Sequence, residues 1–434
     1  MAIQTAPNSF PDALIAVGQS QKDILKPTLM SAPLFAALKT VGTSHVYADT
    51  ADSEELRKLL EEEHHTIIEE IDGNTVNQPL VKKVLTRYLQ QDFSDSWPHK
   101  LIEAQRASSV RDLVPMAYAI VCGRIGNDLI HAFASGRSWE VSLQLHMSVM
   151  TEPETAKSMG RSLRKMVPSA LVKVPFTPHA PACFLIARDL ENEGIPVNFT
   201  STFSARQVVA AALLGNVTRT NIFMGRLDQG FQAELLGAHV TLEAQRILHK
   251  LRTNARVKTQ LIVASIRQWE SLVQTAGCDV YTAPCKVLRA FLQQNDVPPE
   301  SIENQLTTSY ANQLGIPDSV RHHIDTERLA RLYEVESEFL EFLLTYRQTD
   351  EYQQLNDPDT LVTRFEEAGF KDFFTSPFPS QWKELQRGKV PNLIAPITQQ
   401  FDIDTLYSLL ADADFEQHQN EMDQEIEEHL VEER

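Results

Sequence analysis

One pattern constrains the fold of this chain more than any other. Eight short runs rich in valine, isoleucine and leucine fall at 44–49, 66–72, 139–145, 171–176, 196–201, 221–226, 260–265 and 279–283. Runs this apolar suit strands covered on both faces, as in a parallel sheet. Between them, apolar residues recur at helical spacing over 53–63, 80–90, 109–123, 153–166, 182–193, 204–214, 235–251 and 267–276. Ser53, followed by Glu54 and Glu55, reads as a helix start, and Gly194 and Gly215 read as stops. Residues 73–77 read as a polar turn after the second run. Eight strand–helix units predict an α/β chain with a closed (β/α)8, or TIM, barrel over residues 41–296. The open sheet of a dinucleotide fold fits less well, because no GxGxxG or GxxxxGK[ST] follows a strand.

The flanks differ in character. Residues 1–40 read as a polar arm leading to a helix near 32–38. From 297 the alternation stops, so 297–434 reads as a helical C-terminal extension. Helices are expected at 326–346, 357–369 and 403–410, and the acidic stretch 416–434 reads as a solvated helix or a frayed tail. The aromatic segment holding Phe373, Phe374 and Trp382 is expected to cover the barrel mouth. A net charge of −18 argues against nucleic acid or an anionic membrane as the main partner. No apolar run is expected to reach the length of a membrane span, and the N-terminus lacks the regions of a signal peptide. Four scattered cysteines without a CxxC speak against a disulfide framework, so a reducing cytoplasm is the default. The histidines show no metal-ligand spacing, and no metal or cofactor is expected.

Polar residues gather towards the C-terminal ends of the strands: Asp49, Asn77, Gln144, Lys173, Thr200, Arg226 and Ser265. In a closed barrel these ends share one mouth, where active sites are built. Lys173 stands out, alone in the apolar run Leu171-Val172-Lys173-Val174-Pro175-Phe176. Burial disfavours an ammonium group, so such a lysine is either paired or deprotonated, and a neutral lysine is a carbonyl nucleophile. The alternative is a strand-end lysine that snorkels to solvent.

Read together, the motifs resemble the transaldolase family of class I aldolases over residues 44–290. The resemblance rests on Tyr47-Ala48-Asp49-Thr50-Ala51-Asp52, Asp72-Gly73-Asn74-Thr75-Val76-Asn77, Val141-Ser142-Leu143-Gln144-Leu145 and the Lys173 run. It continues through Glu193-Gly194-Ile195-Pro196-Val197-Asn198-Phe199-Thr200, residues 221–226, Ala264-Ser265-Ile266-Arg267 and 277–282. The resemblance implies transfer of a dihydroxyacetone unit between ketose and aldose phosphates, without a cofactor. It implies Lys173 as the Schiff-base lysine, Asp49 as the acid–base group, and Gln144 with Thr200 as holders of a proton-shuttling water. It further implies Asn77, Thr75, Asn198, Asn221 and Phe223 around the sugar, and Arg226, Ser265 and Arg267 on the phosphate. The chain departs from the transaldolase pattern at Gln144, usually a glutamate, at Asn221, usually a serine, and at Asn77-Gln78-Pro79, usually Asn-Pro. Fructose 6-phosphate aldolases of the superfamily carry a glutamine at the third-strand position but a tyrosine where this chain has Phe223. Two other readings stay open: a related class I aldolase for a different sugar, and a silent barrel that binds partners through its acidic tail. The oligomeric state is also open, homo-oligomers included.

Overall fold

The computed structural model describes residues 32–62, 70–90, 97–105, 108–134, 136–385 and 388–433. Eight strands form one closed sheet: β1 (His45–Ala48), β2 (Gly73–Thr75), β3 (Glu140–Gln144), β4 (Ala170–Pro175), β5 (Val197–Thr200), β6 (Arg219–Phe223), β7 (Gln260–Ala264) and β8 (Val280–Ala283). Every pairing is parallel, and β8 closes on β1. This is the (β/α)8 barrel that the alternation predicts. β4, β5 and β6 are buried along their whole length; β4 is apolar apart from Lys173, whereas β5 and β6 bury the polar residues Asn198, Thr200, Arg219, Thr220 and Asn221. Val172 of β4 turns outward to the helices, where it and Leu190 pack on Gly160.

Several elements differ from the expectation. The second strand is Gly73–Thr75, which had read as a turn, and it follows Ile71 and Asp72 rather than containing them. Of the run expected there, residues 66–69 lie outside the described residues. The sixth strand ends at Phe223, and Arg226 sits one turn into the helix Met224–Phe231. The expected helix at 326–346 is two helices, Thr326–Ala330 and Ser337–Tyr346. Among the described residues one helix, Val110–Phe133, is long and apolar enough to cross a membrane by length and composition, against the expectation of none. It is mostly buried within the fold and is capped at its start by Ser109 and Asp112.

The largest difference lies at the end of the chain. The short helix expected at 403–410 and the expected tail are one helix of 30 residues, Ile403–Glu432. Its first half, from Ile403 to Phe415, is buried on every side. In its second half the buried residues are Gln419, Met422, Ile426 and Leu430, the spacing of a single helical face. It is held at both ends. Near its start, Asp404 accepts hydrogen bonds from Ser204 Oγ at 2.6 Å and Arg206 Nε at 2.6 Å, and Tyr407 packs against Phe203 and Phe231. Near its end, Glu421 pairs with Lys82 at 2.7 Å, Glu425 accepts from Thr86 at 2.5 Å, and Asp423 meets His146 at 2.9 Å. The helix therefore crosses the barrel mouth from the β5–β6 side to the helix Gln78–Gln90. Burying Leu406, Tyr407, Leu409, Leu410 and Phe415 stabilises this placement by roughly 10 kcal/mol in total.

Phe373 and Phe374 do not cover the mouth. They pack with Phe176, Phe184 and Phe365. Phe184 belongs to the helix Ala182–Asn192 and also meets Phe199, whose side chain alternates away from the barrel interior. The aromatic cluster thus sits behind β4 and β5. Trp382 lies nearer the rim, edge-on to His179 at 5.0 Å.

Candidate active site

Strand register brings the central residues together. Lys173 on β4 is opposite Gln144 on β3 and Asn198 on β5. Asn198 Nδ2 donates to Ser142 Oγ at 3.0 Å, a contact across β4 that both side chains can make only from the barrel interior. Asn198 Oδ1 and Gln144 Oε1 are buried and have no hydrogen-bond partner among the described residues. A buried acceptor left unpaired costs about 1–3 kcal/mol, so the lysine is flanked by two oxygens poised to accept from a bound hydroxyl or water.

Lys173 itself is 3% exposed, and no described residue gives its Nζ a hydrogen bond or an ion pair. Burial pulls its pKa from 10.5 down to about 8. Asp49 opposes the shift and Arg226 assists it. The lysine is thus neither snorkelling nor paired, which leaves it the properties of a nucleophile.

Asp49 follows β1 directly. Its Oδ1 accepts from Thr75 Oγ1 at 2.8 Å, and Thr75 also meets Thr282 Oγ1 at 2.5 Å. The carboxylate is therefore oriented from two neighbouring strands while staying part-exposed. Thr200 Oγ1 accepts from Asn221 Nδ2 at 2.9 Å, and both residues are buried. Phe223 lies under the Arg226 guanidinium, 5.5 Å from ring centroid to Cζ. Asn77 stands at the rim, where its Oδ1 accepts from Leu80 N at 3.2 Å and caps the helix Gln78–Gln90.

Arg226, Ser265 and Arg267 converge at the β6–β7 side. A methyl group on Gly225 would sit 2.1 Å from the Ser265 carbonyl oxygen and 2.8 Å from Arg267 Cγ, so only glycine permits this approach. Ser265 holds a left-handed backbone, φ 60°, which turns the chain sharply after β7. Arg226 is almost buried, and its Nη2 lies 2.8 Å from Asp414 Oδ2 on the long helix. Burial draws the Arg226 guanidinium below its ordinary value, and Asp414 pushes back. Arg267 is exposed and has no ion pair among the described residues.

Sequence reasoning missed the carboxylates that the long helix brings to the mouth. Asp412 is fully buried near Thr177 at the end of β4, and burial pushes its carboxyl well above the usual range. Asp414 pairs with Arg226. The available signal was the presence of Asp404, Asp412 and Asp414 inside an otherwise apolar stretch of helical spacing. Beside the helix a cavity of about 250 Å³ opens over the ends of β3 and β4, lined by His146, Thr177, His179, Glu416, Gln419 and Asp423 among others. No group of three or more metal-ligating side chains occurs among the described residues.

Comparison with known proteins identifies the family of this chain. The model of the family described as Transaldolase/Fructose-6-phosphate aldolase matches residues 46–336, more than half of the chain. A probable transaldolase of Rhodospirillum centenum is 34% identical over 169 residues, 38% of this chain and 68% of that protein. A probable transaldolase of Nitrosopumilus maritimus is 35% identical over 157 residues, 36% of this chain and 64% of that protein. A transaldolase of Prochlorococcus marinus is 26% identical over 295 residues, 64% of this chain and 80% of that protein. The chain thus spans about two thirds of the length of the first two relatives.

Proposed function

Because the chain belongs to the family of transaldolases and fructose-6-phosphate aldolases, we propose that it transfers a dihydroxyacetone unit from a ketose phosphate to an aldose phosphate through a Schiff base on Lys173. The expected exchange is that of the pentose phosphate pathway: sedoheptulose 7-phosphate and glyceraldehyde 3-phosphate give erythrose 4-phosphate and fructose 6-phosphate, in the cytoplasm. The observation that carries this reading is the buried, unpaired Lys173 with its pKa near 8, flanked by two unpaired acceptors.

The amine attacks the ketose carbonyl carbon, and the carbinolamine loses water to give an iminium. Gln144 and Thr200 hold the water that passes protons in this step. Asp49 then takes the proton from the hydroxyl on the carbon beyond the bond to be broken. That bond breaks, its electrons are held as the enamine on Lys173, and the aldose leaves as an aldehyde. The acceptor aldehyde enters, the enamine carbon attacks it, and Asp49 returns the proton; water then adds to the new iminium, and the carbinolamine collapses to release the product ketose and the free amine of Lys173. The free oxygens of Gln144 and Asn198 accept hydroxyls of the bound three-carbon unit, and Arg267, Ser265 and Arg226 face the phosphate end.

A second reading is aldol cleavage without transfer, which Gln144 favours. An amide positions a water but takes no proton from it. The test for both is borohydride trapping with fructose 6-phosphate and peptide mapping on wild type and Lys173→Met. A reduced three-carbon adduct on Lys173, absent from the variant, is expected. Release of free dihydroxyacetone without an acceptor, faster than transfer to erythrose 4-phosphate, would select the second reading. No adduct from a folded protein with any ketose phosphate would overturn the Lys173 chemistry.

A further inference from the structure

Resting on the Lys173 chemistry above, we propose that Asp414 is a specificity-determining residue of this site, an internal carboxylate that competes with the substrate phosphate for Arg226. Asp414 occupies the place an anion would take. Its Oδ2 lies 2.8 Å from Arg226 Nη2, and its Oδ1 lies 3.3 Å from Lys389 Nζ and 3.6 Å from His418 Nδ1. The Asp414 and Arg226 side chains are only 4% and 8% exposed, so the pair is largely withdrawn from solvent screening.

The carboxylate cannot easily step aside. It sits on the buried half of the long helix, between the Asp404 anchor to Ser204 and Arg206 and the Asp423 anchor to His146. Ser408 Oγ adds a hydrogen bond to the Ser201 carbonyl at 2.7 Å. An arriving phosphate therefore meets Arg267, which has no ion pair among the described residues, and Arg226 and Lys389, which already share Asp414. It carries about −1.5 to −2 charge against the single charge of a carboxylate, so it can compete, but it must leave Asp414 buried beside it. A ketose that ends in a hydroxyl meets no such penalty, because a carboxylate accepts from a hydroxyl. The consequence is reduced discrimination between phosphorylated and unphosphorylated sugars.

Calorimetry with inorganic phosphate on the full chain tests this independently of turnover. Asp414→Asn, which keeps the shape and removes the charge, is expected to bind phosphate at least tenfold more tightly than wild type. The double variant Asp414→Asn/Arg226→Met is expected to lose that gain. In turnover, the ratio of kcat/KM for fructose 6-phosphate to that for fructose should rise at least tenfold in Asp414→Asn. Both sugars are measured on one preparation, so any misfolded fraction cancels from the ratio. Phosphate binding within twofold of wild type would overturn the inference. Weaker binding would also overturn it, and would make Asp414 an orienting partner of Arg226. Borohydride trapping on the same variants separates the two proposals. An adduct on Lys173 with unchanged phosphate binding defeats only the role of Asp414, whereas tighter phosphate binding with no adduct defeats only the Lys173 chemistry.

Discussion

The pKa of Lys173 makes the most exacting prediction. Its fall from 10.5 to about 8 corresponds to roughly 3 kcal/mol of lost preference for the ammonium form. At pH 7.5 about a quarter of the molecules then carry a free amine, against about one in a thousand at the ordinary lysine value. Capture of a ketose should rise about tenfold per pH unit below 8 and level off above it. The two charges that face the lysine act in opposite directions. Asp49 stabilises the ammonium form, so Asp49→Asn should move the rising limb to lower pH. Arg226 destabilises it, so Arg226→Met should move the limb to higher pH. The assay is the initial rate of borohydride-trapped adduct on Lys173 between about pH 6 and 10, which does not require the later bond cleavage proposed for Asp49. A wild-type limb near 10, or shifts of the two variants in the same direction, would refute the claim that burial opposed by one carboxylate sets this pKa.

Two further outcomes follow from the packing. Arg206→Met removes a cation shared by Asp372, Asp402 and Asp404; Asp402 keeps Arg331, but Asp404, only 1% exposed, keeps no cation among the described residues. A loss of about 3–5 kcal/mol is expected in urea unfolding, and a change under about 1 kcal/mol would show that the long helix does not depend on this cluster. Gly225→Ala places a methyl group 2.1 Å from the Ser265 carbonyl oxygen and must displace the start of the Arg226 helix. The KM for fructose 6-phosphate should rise by about tenfold or more, and an unchanged KM would separate this turn from the phosphate end of the site.

The strands that sequence locates well are those whose buried faces are apolar on both sides, such as β4 and β7. β2 escapes because it is three residues of Gly, Asn and Thr, all buried. Its Asn74 is satisfied by the Ala48 and Thr50 carbonyls and by Trp139 Nε1, none of which a hydropathy pattern reveals. Arg226 reads as a strand residue because the apolar run continues through Met224, whereas the close approach of Gly225 to Ser265 marks the turn into a helix. The long helix is misread for a related reason. Asp404, Asp412 and Asp414 look like solvent-facing breaks in an apolar stretch, but Asp404 and Asp414 are buried against tertiary partners and burial pushes the Asp412 carboxyl well above its usual range. Asp414 lies 188 residues from Arg226 in sequence, beyond the reach of any local pattern. The ring around Lys173 is legible because strand parity and a shared barrel end bring distant residues together without knowledge of side-chain partners.

The polar interior is graded from floor to mouth, and the gradient bears on why Gln144 is an amide. At the floor, Tyr47 donates to Glu140, Arg219 Nη2 lies 3.1 Å from Glu140, and Arg219 also donates to Gln260. Glu140 is thereby committed to Arg219 and Tyr47, on the same interior face of β3 as Gln144 but two levels below the Gln144–Lys173 level. One level up, Ser142 pairs with Asn198 and Thr75 with Thr282. Among the described residues of the barrel interior, the unpaired side-chain acceptors Gln144 Oε1 and Asn198 Oδ1 lie at the top, beside the lysine. Asp49 is the one carboxylate among the described residues that acts on Lys173 there, and burial outweighs it. A glutamate at position 144 would set a second carboxylate directly opposite Lys173 in register. It would favour the ammonium form and work against the desolvation that frees the amine. The amide adds no opposing charge, so in the proposed mechanism the proton of the dehydration step passes through the bound water rather than to a carboxylate on the third strand.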